Sequence, residues 1–224
     1  MAIRPLLLGH RGARAEKSIP ENSIASFDRA LAQGCDGFEF DVRLSADGYP
    51  VVCHDPTVHS LEVDHCPAQQ LGLPLLCDVL ERYQATAFLD IELKVSGLEA
   101  TTLDLLRAHP PARGYVISSF LPEVLQAVHD KDATIPLGLI CETRAQFSLW
   151  PNLPIKYVIP HKKLVTRRVA TEIRSRGRKL LVWTVNSAQD MRRFAEWEAD
   201  GIISDDPEKL VSTLGRNSEP KHKK

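Results

Sequence analysis

From one end to the other the chain repeats a single pattern: a short apolar run, an amphipathic stretch, then another short apolar run. The runs fall near 5–9, 37–42, 87–93, 114–119, 135–140, 156–160, 179–184 and 201–204. Runs this short, bounded by turn signals, suit strands buried on both faces, and strands that alternate with helices must lie parallel. Eight such units predict a closed (β/α)8 TIM-type barrel, a single α/β domain over residues 1–214. The polar, basic tail at 215–224 is expected to be disordered. The fifth unit has a weak helix, about 143–150, so an open parallel sheet stands as the alternative.

Local signals place several elements. Asn22 is within reach of a site at the run ends, but a cap explains it fully, on a helix whose Ile24, Phe27 and Leu31 share a face and whose end Gly34 follows. Leu75, Leu76, Val79, Leu80 and Tyr83 make a second apolar stripe; Val165, Val169 and Ile173, closed by Gly177, make a third. Pro122 and Pro207 suit first-turn positions, and Asp205 and Asp206 before Pro207 read as a helix cap. Asp47-Gly48 marks a hairpin that returns the chain through Val51 and Val52 to His54.

Composition excludes several classes. A length of 224 residues suits one core, and 28 basic against 29 acidic residues leaves a net charge of -1, without the basic footprint of a nucleic-acid partner. No apolar stretch approaches the roughly 18 residues of a membrane span, and the short run after Arg4 does not read as a secretory signal. Five cysteines without CxxC spacing read as reduced thiols in a cytoplasmic protein. Cys53-His54 and His65-Cys66 lack the two-pair spacing of a zinc site. A homo-oligomer is compatible with all of this.

The charged residues near the run ends carry the chemistry. Histidine is the side chain suited to proton transfer near neutral pH, and His10 and His54 each end an apolar run. Between them, Glu39 and Asp41 project from one face of a strand while Phe38 and Phe40 project from the other. Asp90, Glu92 and Lys94 share a face in the same way, and Arg11 offers a planar fork suited to phosphate oxygens. Each motif alone would read as solvated charge or a salt bridge. Together they gather charge in one barrel mouth, where unpaired charge is costly and where a cation and a phosphate would balance it. Oxygen donors favour one divalent cation, Mg²⁺ or Ca²⁺, held by Glu39, Asp41 and Glu92. Trp183 reads equally as core or as mouth, its strand-end position favouring the mouth. Ser118, Ser119 and Phe120 end the fourth strand near a substrate. Glu21 and Asp55 read as either site or loop residues, and His59, His65, His109, His129, His161 and His222 read as ordinary.

The segments GHRGARAEKSIPENSIASF, GFEFDVRLSADGYPVVCHD, DIELK, VWTVN and ADGIISDDP, in that order from residue 6 to about 210, resemble the glycerophosphodiester phosphodiesterase family. The resemblance implies a (β/α)8 barrel that hydrolyses glycerophosphodiesters, such as glycerophosphocholine or glycerophosphoethanolamine, to glycerol 3-phosphate and an alcohol. It assigns His10 and His54 as general acid and base, and Glu39, Asp41 and Glu92 as metal ligands. Arg11 and Lys94 would hold the phosphate, with Trp183 beside the substrate. After His54 the family commonly carries an inserted segment over the glycerol side; here that segment is short, with Val58-His59-Ser60-Leu61 in place of the usual run.

Either histidine fits the base, and both direct attack by water and prior attack by the glycerol 2-hydroxyl fit the residues. A second reading keeps the site and changes the substrate to a lysophospholipid. A third, from another class, is an inactive phosphate-binding barrel, which would be expected to lose a histidine or a metal carboxylate; none is lost.

Overall fold

The computed structural model describes residues 4–215. All eight expected strands form: β1 (Leu6–His10), β2 (Gly37–Leu44), β3 (Phe88–Leu93), β4 (Tyr115–Ser119), β5 (Leu137–Cys141), β6 (Tyr157–Pro160), β7 (Lys179–Val182) and β8 (Gly201–Ser204). Each pairs in parallel with the next, and β1 pairs with both β8 and β2, so the sheet closes on itself and the open alternative falls. A helix follows each strand: α1 (Ile24–Ala32), α2 (Leu76–Tyr83), α3 (Glu99–Ala108), α4 (Pro122–Lys131), α5 (Arg144–Phe147), α6 (Arg167–Ser175), α7 (Ala188–Glu196) and α8 (Pro207–Leu214). The fifth helix is indeed a single turn, held by a Thr143–Gln146 capping box. It is enough, because β5 is fixed on both edges by β4 and β6. The expected tail lies outside the described residues from position 216 on.

Strand alternation sorts the core into two layers. Leu7, Phe38, Phe40, Leu89, Ile91, Ile117, Val158 and Ile202 face outward into a layer shared with the helices. Leu8, Phe88, Val116, Ile140, Tyr157, Ile159, Leu181 and Ile203 fill the barrel interior. The β2–β3 seam requires glycine: a Cβ on Gly37 would lie 1.8 Å from the Phe88 carbonyl oxygen. Glycine is the only residue that lets these strands approach at that register.

The hairpin after β2 is present, with Gly48 at φ 82° and Pro50–Val52 antiparallel to the end of β2. It delivers His54 to the barrel's C-terminal rim. Two capping expectations need correction. Ser23, not Asn22, caps α1, accepting the Ser26 N–H, while Asn22 is buried at φ 54°. Asp206 alone caps α8, through the Lys209 N–H, leaving Asp205 for another task. Val165 precedes α6, which starts behind a Thr166 cap.

Candidate active site

In a parallel barrel all strands end at one mouth, and here the charged residues line one arc of it. Inward parity continues past each strand end. His10 follows Leu8 on β1, Glu39 and Asp41 face in from β2, Asp90 and Glu92 from β3 with Lys94 beyond, and Asp205 follows Ile203 on β8. The register sets His10 beside Glu39 and Asp41 beside Glu92. A cavity of about 270 Å³ opens between them, lined by His10, Arg11, Glu39, His54, Glu92 and Lys94 on this side.

Three carboxylates, from Glu39, Asp41 and Glu92, bring oxygens within 4.8 Å of one another, and all three residues are buried. Burial, with Asp41 and Glu92 nearby, pushes the Glu39 carboxyl well above its usual range. Glu92 is pushed up to about 7 by burial and by Asp41. Burial acts on Asp41 too, but Lys94, Arg11 and Asn22 outweigh it and hold this carboxyl below its ordinary value. Lys94 Nζ stands 2.6 Å from Glu92 Oε1 and 3.2 Å from Asp41 Oδ1, and Arg11 Nε 3.2 Å from Asp41 Oδ2. Two of three carboxyls thus resist ionising despite two cations beside them. Only with all three ionised would the carboxylates outnumber the two cations, and a hard-oxygen cluster that resists that state by itself fits a hard divalent cation such as Mg²⁺ or Ca²⁺.

The cluster is braced from the loop after β1. Arg11, at φ 51°, donates its main-chain N–H to Glu39 Oε2 at 3.0 Å. Its guanidinium donates to Glu21 Oε1 at 2.6 Å, and Arg14 holds the other oxygen of Glu21. Asn22 donates to Asp41 Oδ2 at 2.8 Å and accepts the Asp41 N–H at 3.2 Å. Two adjacent departures into the left-handed region, at Arg11 and Asn22, are joined by an Asn22 N–H to Arg11 C=O bond. Non-glycine residues there signal a backbone held by its surroundings.

Both histidines are paired with a carboxylate. His10 Nδ1 lies 2.7 Å from Asp205 Oδ1, and His54 Nδ1 lies 2.7 Å from Asp55 Oδ1. Asp205 is half-buried, yet His10, Asn186 and Arg14 hold it well below the usual carboxylate range. An ionised carboxylate only accepts, so Nδ1 carries the hydrogen and Nε2 is turned elsewhere. For His10, Nε2 comes within 3.8 Å of Glu39 Oε2 in the cavity. Burial lowers the His54 pKa from its ordinary value.

The opposite arc is apolar and aromatic. Phe120, Ile140, Ile159, Trp183 and Ile203 line it, with Glu142 at its rim. Trp183 sits just past β7, its indole N–H donating to the Ile159 carbonyl at 2.9 Å. Of the fourth-strand trio only Phe120 reaches the cavity. Ser118 donates to Asp90 Oδ1 at 2.6 Å and Ser119 to the Leu93 carbonyl at 2.7 Å, both fully buried, so the expectation of substrate contact fails for them. His161, read as ordinary, packs edge-on against Trp183 with centroids 5.2 Å apart. Asp205, Asn186 and Glu142 were missed. Inward parity from Ile203 could have indicated Asp205; nothing local in the sequence marks the others.

A closed (β/α)8 barrel whose mouth gathers two carboxylate-paired histidines, three clustered carboxylates, an arginine and a lysine belongs with the barrel hydrolases of phosphate esters. The profile of the Glycerophosphoryl diester phosphodiesterase family matches residues 10–79 and 100–209, and the chain belongs to that family. A Glycerophosphodiester phosphodiesterase of Caldanaerobacter subterraneus is 28% identical, with 95% of this chain and 98% of that protein covered. An Oleispira antarctica phosphodiesterase, solved in complex with the product sn-glycerol-3-phosphate, superimposes with a TM-score of 0.83 at 25% identity, covering 94% and 97% of the two chains. A Thermotoga maritima glycerophosphodiester phosphodiesterase gives 0.82 at 24%, covering 95% and 99%. No helix among the described residues is long and apolar enough to cross a membrane.

Proposed function

We propose that this protein is a cytoplasmic, metal-dependent phosphodiesterase that hydrolyses small glycerophosphodiesters to glycerol 3-phosphate and an alcohol. The observation that carries the reading is a cavity lined by Glu39, Glu92, Arg11, Lys94 and two carboxylate-paired histidines, with the buried Asp41 carboxylate clustered against Glu39 and Glu92. Glu39, Asp41 and Glu92 would hold Mg²⁺ or Ca²⁺, which when bound supplies Lewis-acid stabilisation of charge on the phosphoryl oxygens. Arg11 and Lys94 reach the same space and would hold the phosphate and offset charge growing on it, ordinarily the largest catalytic contribution. Trp183 walls the departing side.

His54, kept towards its neutral form by burial, suits the base. Its Nε2 takes a proton from the attacking water, whose oxygen forms the new bond to phosphorus; where the glycerol 2-hydroxyl attacks first, water opens the resulting cyclic phosphate in a second such step to give glycerol 3-phosphate. His10, aligned by Asp205, suits the acid: its Nε2 gives a proton to the leaving alcohol as the old P–O bond breaks. The short segment after His54 is proposed to leave the glycerol side more open than in relatives that carry a longer one.

The test is direct. Purified protein is incubated with glycerophosphocholine, glycerophosphoethanolamine and a lysophospholipid, with Mg²⁺ or Ca²⁺ and then with chelator. Glycerol 3-phosphate from the first two, abolished by chelation, is expected. Lysophosphatidic acid as the main product would transfer the reading to lysophospholipids. No product from any substrate with either metal would overturn the enzymatic reading.

A further inference from the structure

The cavity's second arc has a composition the hydrolytic chemistry does not use. Phe120, Glu142, His161 and Trp183 each stand just beyond the C-terminal end of β4, β5, β6 and β7, so four neighbouring strands place them side by side on the rim. The Phe120 and Trp183 rings meet at 87° with centroids 5.8 Å apart, forming a right-angled aromatic corner. Trp183 is held in this corner by its N–H to the Ile159 carbonyl and by His161, which packs against it at 79°. Ile140, Ile159, Ile203 and the buried Asp90 line the cavity beside the corner. Above it the Glu142 side chain is exposed and makes no hydrogen bond or ion pair among the described residues; only its main-chain N–H is used, by Gln146. Lys94 Nζ lies over the Phe120 ring, 5.7 Å from its centroid, so that ring already meets one cation and it is Trp183, with Glu142, that is left to receive a second beside a phosphate held by Lys94.

Aromatic faces attract cations through their quadrupole, and most strongly where water is displaced. Crossed rings and an unpaired carboxylate favour an ammonium group, which gains both an ion pair and the ring quadrupole, whereas a hydroxyl gains only a hydrogen bond to Glu142. We infer that the arc built from Phe120, Trp183 and Glu142 is a seat for a cationic head group, selecting choline- or ethanolamine-type diesters over uncharged ones. The inference rests on the hydrolytic reading above and names its preferred leaving alcohol. Lys94 and Arg11 stay on the phosphate, so the two cation-bearing partners are separated by the short linker of the substrate itself. His161, whose pKa burial lowers, does not compete with the ligand's charge at neutral pH.

The experiment compares kcat/KM for glycerophosphocholine and for glycerophosphoglycerol in the wild type, Glu142→Gln and Glu142→Lys. The wild type is expected to favour the cationic substrate on the order of tenfold. Glu142→Gln should cut that ratio several-fold through KM, and Glu142→Lys should bring it to one or below. Hydrolysis of both substrates with a ratio that these variants leave unchanged would overturn the seat while leaving the hydrolytic reading intact. Hydrolysis of neither would overturn the hydrolytic reading. Choline titrated alone is expected to change the wild-type tryptophan fluorescence saturably and that of Glu142→Lys far less; no response in the wild type would also overturn the seat.

Discussion

Asp205 accepts from His10 while Asn186 and Arg14 hold it in turn, so its charge and its aim are both fixed. Asp205→Asn is expected to lower kcat by about 10- to 1,000-fold with little change in KM, as measured by steady-state kinetics. Ala at His10 or His54 should cost about 100- to 10,000-fold. The pH dependence follows from His54. Its folded pKa lies below 6.5 because burial disfavours the imidazolium. The neutral base is therefore present above that value and is lost only as the pH falls through the lowered one. At saturating divalent cation, where the carboxylate cluster is held ionised, the acid limb of kcat/KM should lie below pH 6.5; a limb above it that does not move with cation concentration would reassign the base. At this scale the sequence made legible what strand parity and residue chemistry determine: His10, Glu39, Asp41, Glu92 and Lys94. It misread Asn22, because a polar residue before a helix has the same local signature whether it caps the helix or turns inward to a carboxylate.

The loop after β1 shows that difference as energy. Ser23→Ala removes the α1 cap and should cost about 1 kcal/mol of stability in denaturant unfolding, with kinetics unchanged. Its neighbour, Asn22→Ala, frees Asp41 and should depress kcat/KM and the affinity for the divalent cation instead. Equal effects of the two on activity would argue against a site role for Asn22. The β2–β3 seam gives a second test: Gly37→Ala forces a methyl onto the Phe88 carbonyl and should cost about 3 kcal/mol or more, since backbone cannot move aside as a side chain can. Element existence was legible because eight apolar runs with intervening stripes admit few topologies. The one-turn α5 was the least legible, since its stability comes from a capping box and from flanking strands rather than from periodicity.

Across the whole molecule, burial divides the five thiols. Cys35 and Cys141 are buried and pushed up to about 12, and Cys53 to about 11, all by burial first. Only Cys66 and Cys77 are partly exposed. A disulfide-exchange reagent at pH 8 is expected to titrate two thiols quickly in the native protein and five after unfolding; rapid reaction of all five would mean the core is not closed as described. Barrel closure itself could be read from the count of units, yet which arc of the mouth does what could not, because that depends on register between strands distant in sequence. The division of the mouth has a consequence for how such proteins diversify. The residues argued to handle the bond and its metal come from 10–94 and from 205, while the aromatic corner and Glu142 come from 120–183, one uninterrupted stretch of the gene. Recombination with crossovers in the outer helices on either side of that stretch would exchange the preference for the departing group in a single event, carrying Asn186 along and leaving His10, His54, the carboxylate cluster and Asp205 in place.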